Sequence, residues 1–201
     1  MTAVGSVMHA DTALVQRAKA NDRAAFNEIV LRYKDKVYNY IYRMVRHATD
    51  AEDLTQETFV RAYLSLHSFQ SRASLNTWLF RIATNLCIDH CRRAKRTQGL
   101  VTSLSPDNEE EEEGPQRDVP DATFDPQRLL LNKELGEKLE KALQELPEKL
   151  RMVVLLYDVE GLSYEEIAAI AGCPLGTIKS RLFNARAALR RKLEPYLNIT
   201  V

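Results

Sequence analysis

Residues 161–193, GLSYEEIAAIAGCPLGTIKSRLFNARAALRRKL, decide how the chain is read. Ser163 followed three residues later by Glu166 is a capping box: the serine oxygen accepts from the amide of Glu166, and the glutamate reaches back to the amide of Ser163. A helix is expected to start at Tyr164, to turn Ile167, Ala168, Ile170 and Ala171 inward, and to stop at Gly172-Cys173-Pro174. A second helix follows. Its residues Leu175, Ile178, Leu182, Ala185, Leu189 and Leu193 recur at three- and four-residue steps and share one face. From Leu175 to Leu193 the charged side chains are Lys179, Arg181, Arg186, Arg190, Arg191 and Lys192, with no acid among them. A short capped helix, a turn with glycine, small Ala168 at the crossing and a longer basic helix predict a helix-turn-helix. Early residues of the second helix then enter the major groove, which puts Thr177, Lys179, Ser180, Arg181, Phe183 and Asn184 within reach of bases or phosphates. A helical hairpin with merely solvated cations is the alternative, and neither the one-sided charge nor the turn chemistry is expected of it.

Upstream of this motif, Leu150, Val153, Val154 and Tyr157 continue a helical stripe after Pro147, which suits a first turn, and Leu130, Leu135, Leu139 and Leu143 precede it. Residues 99–126 hold four prolines and the run Glu109 to Glu113. So few large apolar side chains cannot offset the entropy of ordering, and a flexible linker is expected. Nearer the N-terminus, Phe26, Ile29, Val30, Tyr33, Val37, Tyr40, Ile41, Met44 and Val45 define an amphipathic helix. A second helical run begins at Asp50, residues 67–76 read as a polar loop, and a third helix starts around Trp78 and ends in Arg92, Arg93, Lys95 and Arg96. No stretch shows the strand period of two. The expectation is an all-α protein of two small helical domains, 10–96 and 133–196, joined by an acidic linker over 97–132.

The composition agrees. The 201 residues balance 28 Lys+Arg against 28 Asp+Glu, but unevenly. Residues 24–98 carry 12 basic and 7 acidic side chains, and residues 99–132 carry 2 and 9, so basic modules flank an acidic connector. That suits two modules touching a polyanion. No apolar run reaches the ~18 residues of a membrane span, and charges from Asp11 to Glu28 exclude a signal peptide, so no membrane insertion is expected. Three cysteines do not make a disulfide framework and fit a reducing compartment, the cytoplasm. Cys87, His90 and Cys91 share one helical side, but Cys173 and His47 are distant, so no metal site is expected. A phosphate-binding glycine loop, a GxSxG elbow and a His-rich set are all missing, which argues against an enzyme or a cofactor.

Three stretches together resemble the extracytoplasmic-function group of bacterial RNA polymerase sigma factors: Asp50-Ala51-Glu52-Asp53-Leu54-Thr55-Gln56-Glu57-Thr58-Phe59, Thr77-Trp78-Leu79-Phe80-Arg81-Ile82-Ala83-Thr84-Asn85, and Gly161 to Arg190 preceded by Leu146-Pro147-Glu148. The resemblance implies a sigma factor that binds core polymerase, directs it to a promoter and helps open the duplex, for a stress or envelope-response regulon. It implies that the first domain is sigma region 2 and the second sigma region 4. The polymerase contact, on the coiled coil of the largest subunit, would fall on Glu52, Asp53, Gln56 and Glu57, supported by Leu54 and Phe59; region 4 would meet the flap. Ser71, Arg72, Trp78, Asn85, Arg92 and Arg93 would handle the single-stranded minus-ten element, and Thr177, Lys179, Ser180, Arg181, Phe183, Asn184 and Arg186 the minus-thirty-five element. The loop around Ser71 lacks a glycine found in many members. An anti-sigma protein is a further implied partner. A helix-turn-helix regulator with a sensing or dimerising amino-terminal part is the competing reading.

Overall fold

The computed structural model describes residues 3–70, 73–97 and 133–197, which form helices and short turns. The chain divides into two compact units, Met1–Cys87 and Ile88–Val201. Residues 98–132 of the expected linker lie outside the described residues.

In the first unit, helix α1 spans Ala3–Lys19, an element the sequence reading did not anticipate. It is anchored by buried Leu14, Val15 and Ala18 and by a carboxylate, Asp11, which accepts from the Tyr33 hydroxyl and, at 2.7 Å, from Arg32. Asn21 takes a left-handed φ of 65°, a conformation asparagine tolerates, and Asp22 caps α2 by accepting from the amides of Ala24 and Ala25. Helix α2, Arg23–Val45, buries the stripe Phe26, Ile29, Tyr33, Val37, Tyr40, Ile41 and Met44. Each such side chain contributes about 1.5–3 kcal/mol by leaving water. Helix α3, Ala48–Ser65, begins two residues before Asp50 because the His47 ring nitrogen accepts the Asp50 amide.

The expected loop 67–76 is shorter than read. A 3-10 turn, Leu66–Ser68, opens it, Leu66 and Phe69 are buried, and α4, Leu75–Thr97, starts early because Ser74 accepts the Thr77 amide at 3.0 Å. Tyr40 and Thr84 share a buried hydroxyl contact of 2.7 Å, and Phe80 meets the Tyr40 ring edge-on. Phe80 is fully buried, so it is a core residue and not a stacking platform.

Burial, reinforced by the Asp11 carboxylate, pushes the Tyr33 phenol above its ordinary value of 10.0. As pH rises past 10 the unfolded chain loses this proton while the folded chain keeps it, so stability falls with pH in that range. Tyr33→Phe is expected to flatten the fall by up to about 1.4 kcal/mol per pH unit, measured by denaturant unfolding between pH 9 and 12. Equal slopes in the two proteins would contradict this.

In the second unit, α5 spans Lys133–Gln144, α6 Glu148–Val154, α7 Tyr164–Ala171 and α8 Leu175–Leu197. Pro147 stands at the N-cap of α6, one place before the first turn. The capping box is complete: the Glu166 amide donates to the Ser163 oxygen at 3.2 Å and the Ser163 amide to the Glu166 carboxylate at 3.0 Å. Gly172, at a φ of 64°, ends α7 in the left-handed conformation that a side chain would strain. Ile178, Leu182, Ala185, Leu189 and Leu193 are buried, with Leu139, Leu143, Met152, Val153, Leu156 and Ile167 also in the core. Leu175 departs from the expected inner face and is 37% exposed. After α6 the backbone widens into a π turn, Leu155–Val159, which the apolar spacing did not reveal.

Candidate nucleic-acid and protein interfaces

On α3 the structure exposes Glu52, Asp53 and Gln56, while Glu57 is half-buried and pairs with Arg61 at 2.7 Å. Leu54 is half-buried and Phe59 buried, as supports for that face. Thr55 and Thr58 turn their hydroxyls back onto the carbonyls of Ala51 and Leu54, so neither is offered outward. Between α2 and α3 runs a groove of about 850 Å³ whose apolar walls include Phe26, Val30, Phe59, Val60, Tyr63 and Leu64, with Glu52 and Gln56 among its polar lining. Leu64 is 75% exposed. Val60 and Tyr63 beside it are exposed as well, and a contiguous apolar patch of this kind, with charge at its edge for orientation, is the chemistry of a protein-binding surface. The sequence reading found the polar positions and missed the groove. Its signal is a second apolar stripe on α3, Val60 and Leu64, outside the buried positions Ala51, Thr58 and Ala62.

Ser71 and Arg72 lie outside the described residues. Asn85 is exposed on α4 and, with Arg61, Leu64, Ser65 and Ile82, lines a depression of about 440 Å³. An amide for base edges, apolar walls and a nearby guanidinium are the chemistry that captures an unstacked base. Arg61 is the member that sequence reasoning missed, because it arrives from α3. Trp78 is half-buried with its ring 4.8 Å from that of Phe69, and Arg92 and Arg93 are exposed further along α4.

In the helix-turn-helix, Lys179, Ser180, Phe183 and Asn184 are exposed on the first turns of α8, and Thr177 is half-buried. The Ser180 hydroxyl donates to the Thr177 carbonyl at 3.0 Å. Arg181 is half-buried and reaches the Cys173 sulfur at 3.6 Å. Arg186 differs from the others: its guanidinium donates to both oxygens of buried Asp158 in the π turn and lies 5.3 Å from the Tyr157 ring. It holds α8 against the π turn, and its charge is already engaged; Asp158 raises its pKa further. Tyr157 stacks on Tyr164 at 4.7 Å, and Lys179 lies 6.0 Å from the Tyr164 ring. Burial, with the neighbouring Tyr157 phenol, pushes the Tyr164 phenol up to about 12. Two tyrosines between two cations thus support the exposed end of α8.

Cys87 is buried and Cys91 half-buried, and burial pushes the Cys91 thiol up, away from reactivity. Among the described residues no three His, Cys, Asp or Glu side chains converge as a metal would require, and no helix is long and apolar enough to cross a membrane.

A helix-turn-helix with an exposed basic end, in a chain that also carries an apolar groove edged by acids, defines a DNA-binding protein that docks on another protein. Residues 29–97 match the Sigma-70 region 2 family and residues 136–189 the Sigma-70 region 4 family. The chain is 37% identical over 188 residues to the RNA polymerase sigma-H factor of Pseudomonas aeruginosa, covering 93% of this chain and 95% of that one. It is 37% identical over 189 residues to the ECF RNA polymerase sigma-E factor of Escherichia coli K12, covering 93% and 96%. Among solved structures it is similar to CnrH in complex with the cytosolic domain of CnrY, with a TM-score of 0.65, 26% identity and coverage of 92% and 98%. It is also similar to the sigma factor RpoE in complex with the anti-sigma factor NepR from Bartonella quintana, with a TM-score of 0.61, 28% identity and coverage of 84% and 96%. The chain belongs to the sigma-70 family of bacterial RNA polymerase sigma factors, in its extracytoplasmic-function group.

Proposed function

We propose that this sigma factor divides its work as 10–96 for polymerase binding and minus-ten opening, 97–132 as a connector, and 133–196 for the minus-thirty-five element. It binds core polymerase, recognises promoter DNA and promotes strand opening for a stress or envelope-response regulon. It performs no chemistry itself and works in the cytoplasm. Glu52, Asp53, Gln56 and Glu57, on Leu54 and Phe59, meet the coiled coil of the largest subunit, and the groove beside them takes its apolar contacts; the second unit meets the flap. Asn85, with Trp78, Arg92 and Arg93 and the loop at Ser71 and Arg72, handles the opened strand. Thr177, Lys179, Ser180, Arg181, Phe183 and Asn184 read the minus-thirty-five duplex, and Arg186 orients the helix that carries them. The observation that supports this most directly is the exposed quartet Lys179, Ser180, Phe183 and Asn184 at the start of a helix whose other face is buried. An anti-sigma protein that covers both units is the fitting regulator, since the similar structure of RpoE holds that sigma factor in complex with the anti-sigma factor NepR, and that of CnrH holds it with the cytosolic domain of CnrY.

The test is in vitro transcription with core bacterial polymerase on a genomic fragment library, with transcript starts mapped. New starts sharing paired upstream elements are expected, and Asn85→Ala or Lys179→Ala should reduce them by roughly tenfold, the loss of one good base or phosphate contact. An absence of new starts despite complex formation, with operator binding by the protein alone, would instead establish an ordinary helix-turn-helix regulator.

A further inference from the structure

Lys19 closes α1 and is half-buried. Its ammonium donates to the Phe69 carbonyl at 2.5 Å and lies 5.9 Å from the centre of the Phe69 ring. Phe69 is buried where the chain leaves the 3-10 turn after α3, and its ring packs at 4.8 Å on Trp78 in the first turns of α4. One side chain therefore ties α1 to the passage between α3 and α4, across 50 residues of sequence. The brace is rigid at its own end: Asp11 fixes α1 to Arg32 and Tyr33, and Arg17 pairs with Asp22 at 2.6 Å across the turn into α2. A lysine normally keeps its compact, strongly hydrated charge in water. Here it is spent on a neutral carbonyl and an aromatic face, a charge-assisted contact that holds one backbone oxygen and one ring in place. Trp78 and Asn85 are seven residues apart, two turns along the same side of α4. A surface that captures an extruded base gains rate when its groups are held in place before the strand arrives.

We propose that Lys19 is a positioning residue for strand opening: it fixes the Phe69–Trp78 pair, and through it the start of α4, so that the Asn85 face meets the opened strand in one geometry. This rests on the promoter-opening role given above to α4.

The test uses the full chain with Lys19→Met, which keeps the stem and removes the charge and donors, and Lys19→Arg, which restores both. Trp78 is the single tryptophan of the protein, so its fluorescence reports the pair directly. Lys19→Met is expected to shift the Trp78 emission and to slow open-complex formation by holoenzyme roughly five- to tenfold, the loss of one charge-assisted hydrogen bond. Affinity for core polymerase should stay unchanged, and Lys19→Arg should recover most of the rate. Wild-type opening by Lys19→Met would overturn the proposal, as would a loss that follows weakened polymerase binding or unfolding and is not rescued by arginine. Failure of the wild-type chain to open any promoter is seen before a variant is made, and removes the underlying role of α4 together with the proposal.

Discussion

Arg151→Met is expected to destabilise the second unit by about 3 kcal/mol or more. Arg151 is only 7% exposed. Its guanidinium donates to the carbonyl of Leu143 at 2.9 Å, of Gln144 at 2.6 Å and of Leu146 at 2.9 Å, and to the Gln144 side chain at 3.1 Å. Those carbonyls belong to the end of α5 and the turn after it, where intrahelical donors have run out and Pro147 brings no N–H. A single arginine thus does the work of a C-cap. Burial lowers its pKa, but a guanidinium is so strong a base that it stays charged under all ordinary conditions. Methionine fills similar space and donates nothing, leaving three backbone oxygens without this partner. For a domain of this size the change should lower the melting midpoint by more than about 10 °C. Trp78 lies in the first unit, so its fluorescence transition should stay where it is while the far-UV circular dichroism midpoint falls. A circular dichroism midpoint equal to that of the wild type would show that water replaces the guanidinium without cost.

The double reversal Lys179→Glu with Arg181→Glu is expected to reduce transcription from promoters that need the minus-thirty-five element by roughly a hundredfold or more. In the function proposed above each cation at the start of α8 neutralises a phosphate or reaches a base, and each reversal would replace attraction by repulsion against the same polyanion. Both side chains lie outside the buried stripe Ile178, Leu182, Ala185 and Leu189, so the helical content should change little. The salt dependence of promoter binding by holoenzyme should become shallower by about two in log–log slope, one for each lost phosphate contact. Polymerase binding through the first unit should persist. An unchanged salt slope would mean that these cations are solvated and that α8 meets DNA by another face. Reversing Arg186 is a different experiment, because that guanidinium already holds Asp158 and the change would set a second carboxylate against a buried one.

Local chemistry was legible before any coordinates. Ser163 and Glu166 are three residues apart, and Gly172 follows the last inward residue, so both ends of α7 are written within one turn of chain. The buried face of α8 follows from three- and four-residue spacing in the same way, and its one departure, Leu175, is the first residue of the helix. The acidic positions of α3 were also visible as a helical face. Their apolar companion groove was not, since half of its wall comes from α2.

Several of the features missed join groups carried by different helices: Arg151 closes the end of the helix before its own, Asp158 reaches Arg186 across 28 residues, and Arg61 joins Asn85 from a different helix. Periodicity reports which face of a helix is apolar, because that depends on neighbours within a few residues. Which polar group answers a buried carbonyl or carboxylate depends on how helices pack, and packing is set by the shapes of all the buried side chains at once. Helical class, the helix-turn-helix and its outward cations are therefore properties of the amino-acid order, whereas the Lys19 brace, the Arg151 cap and the engagement of Arg186 come into being only when one helix packs on another.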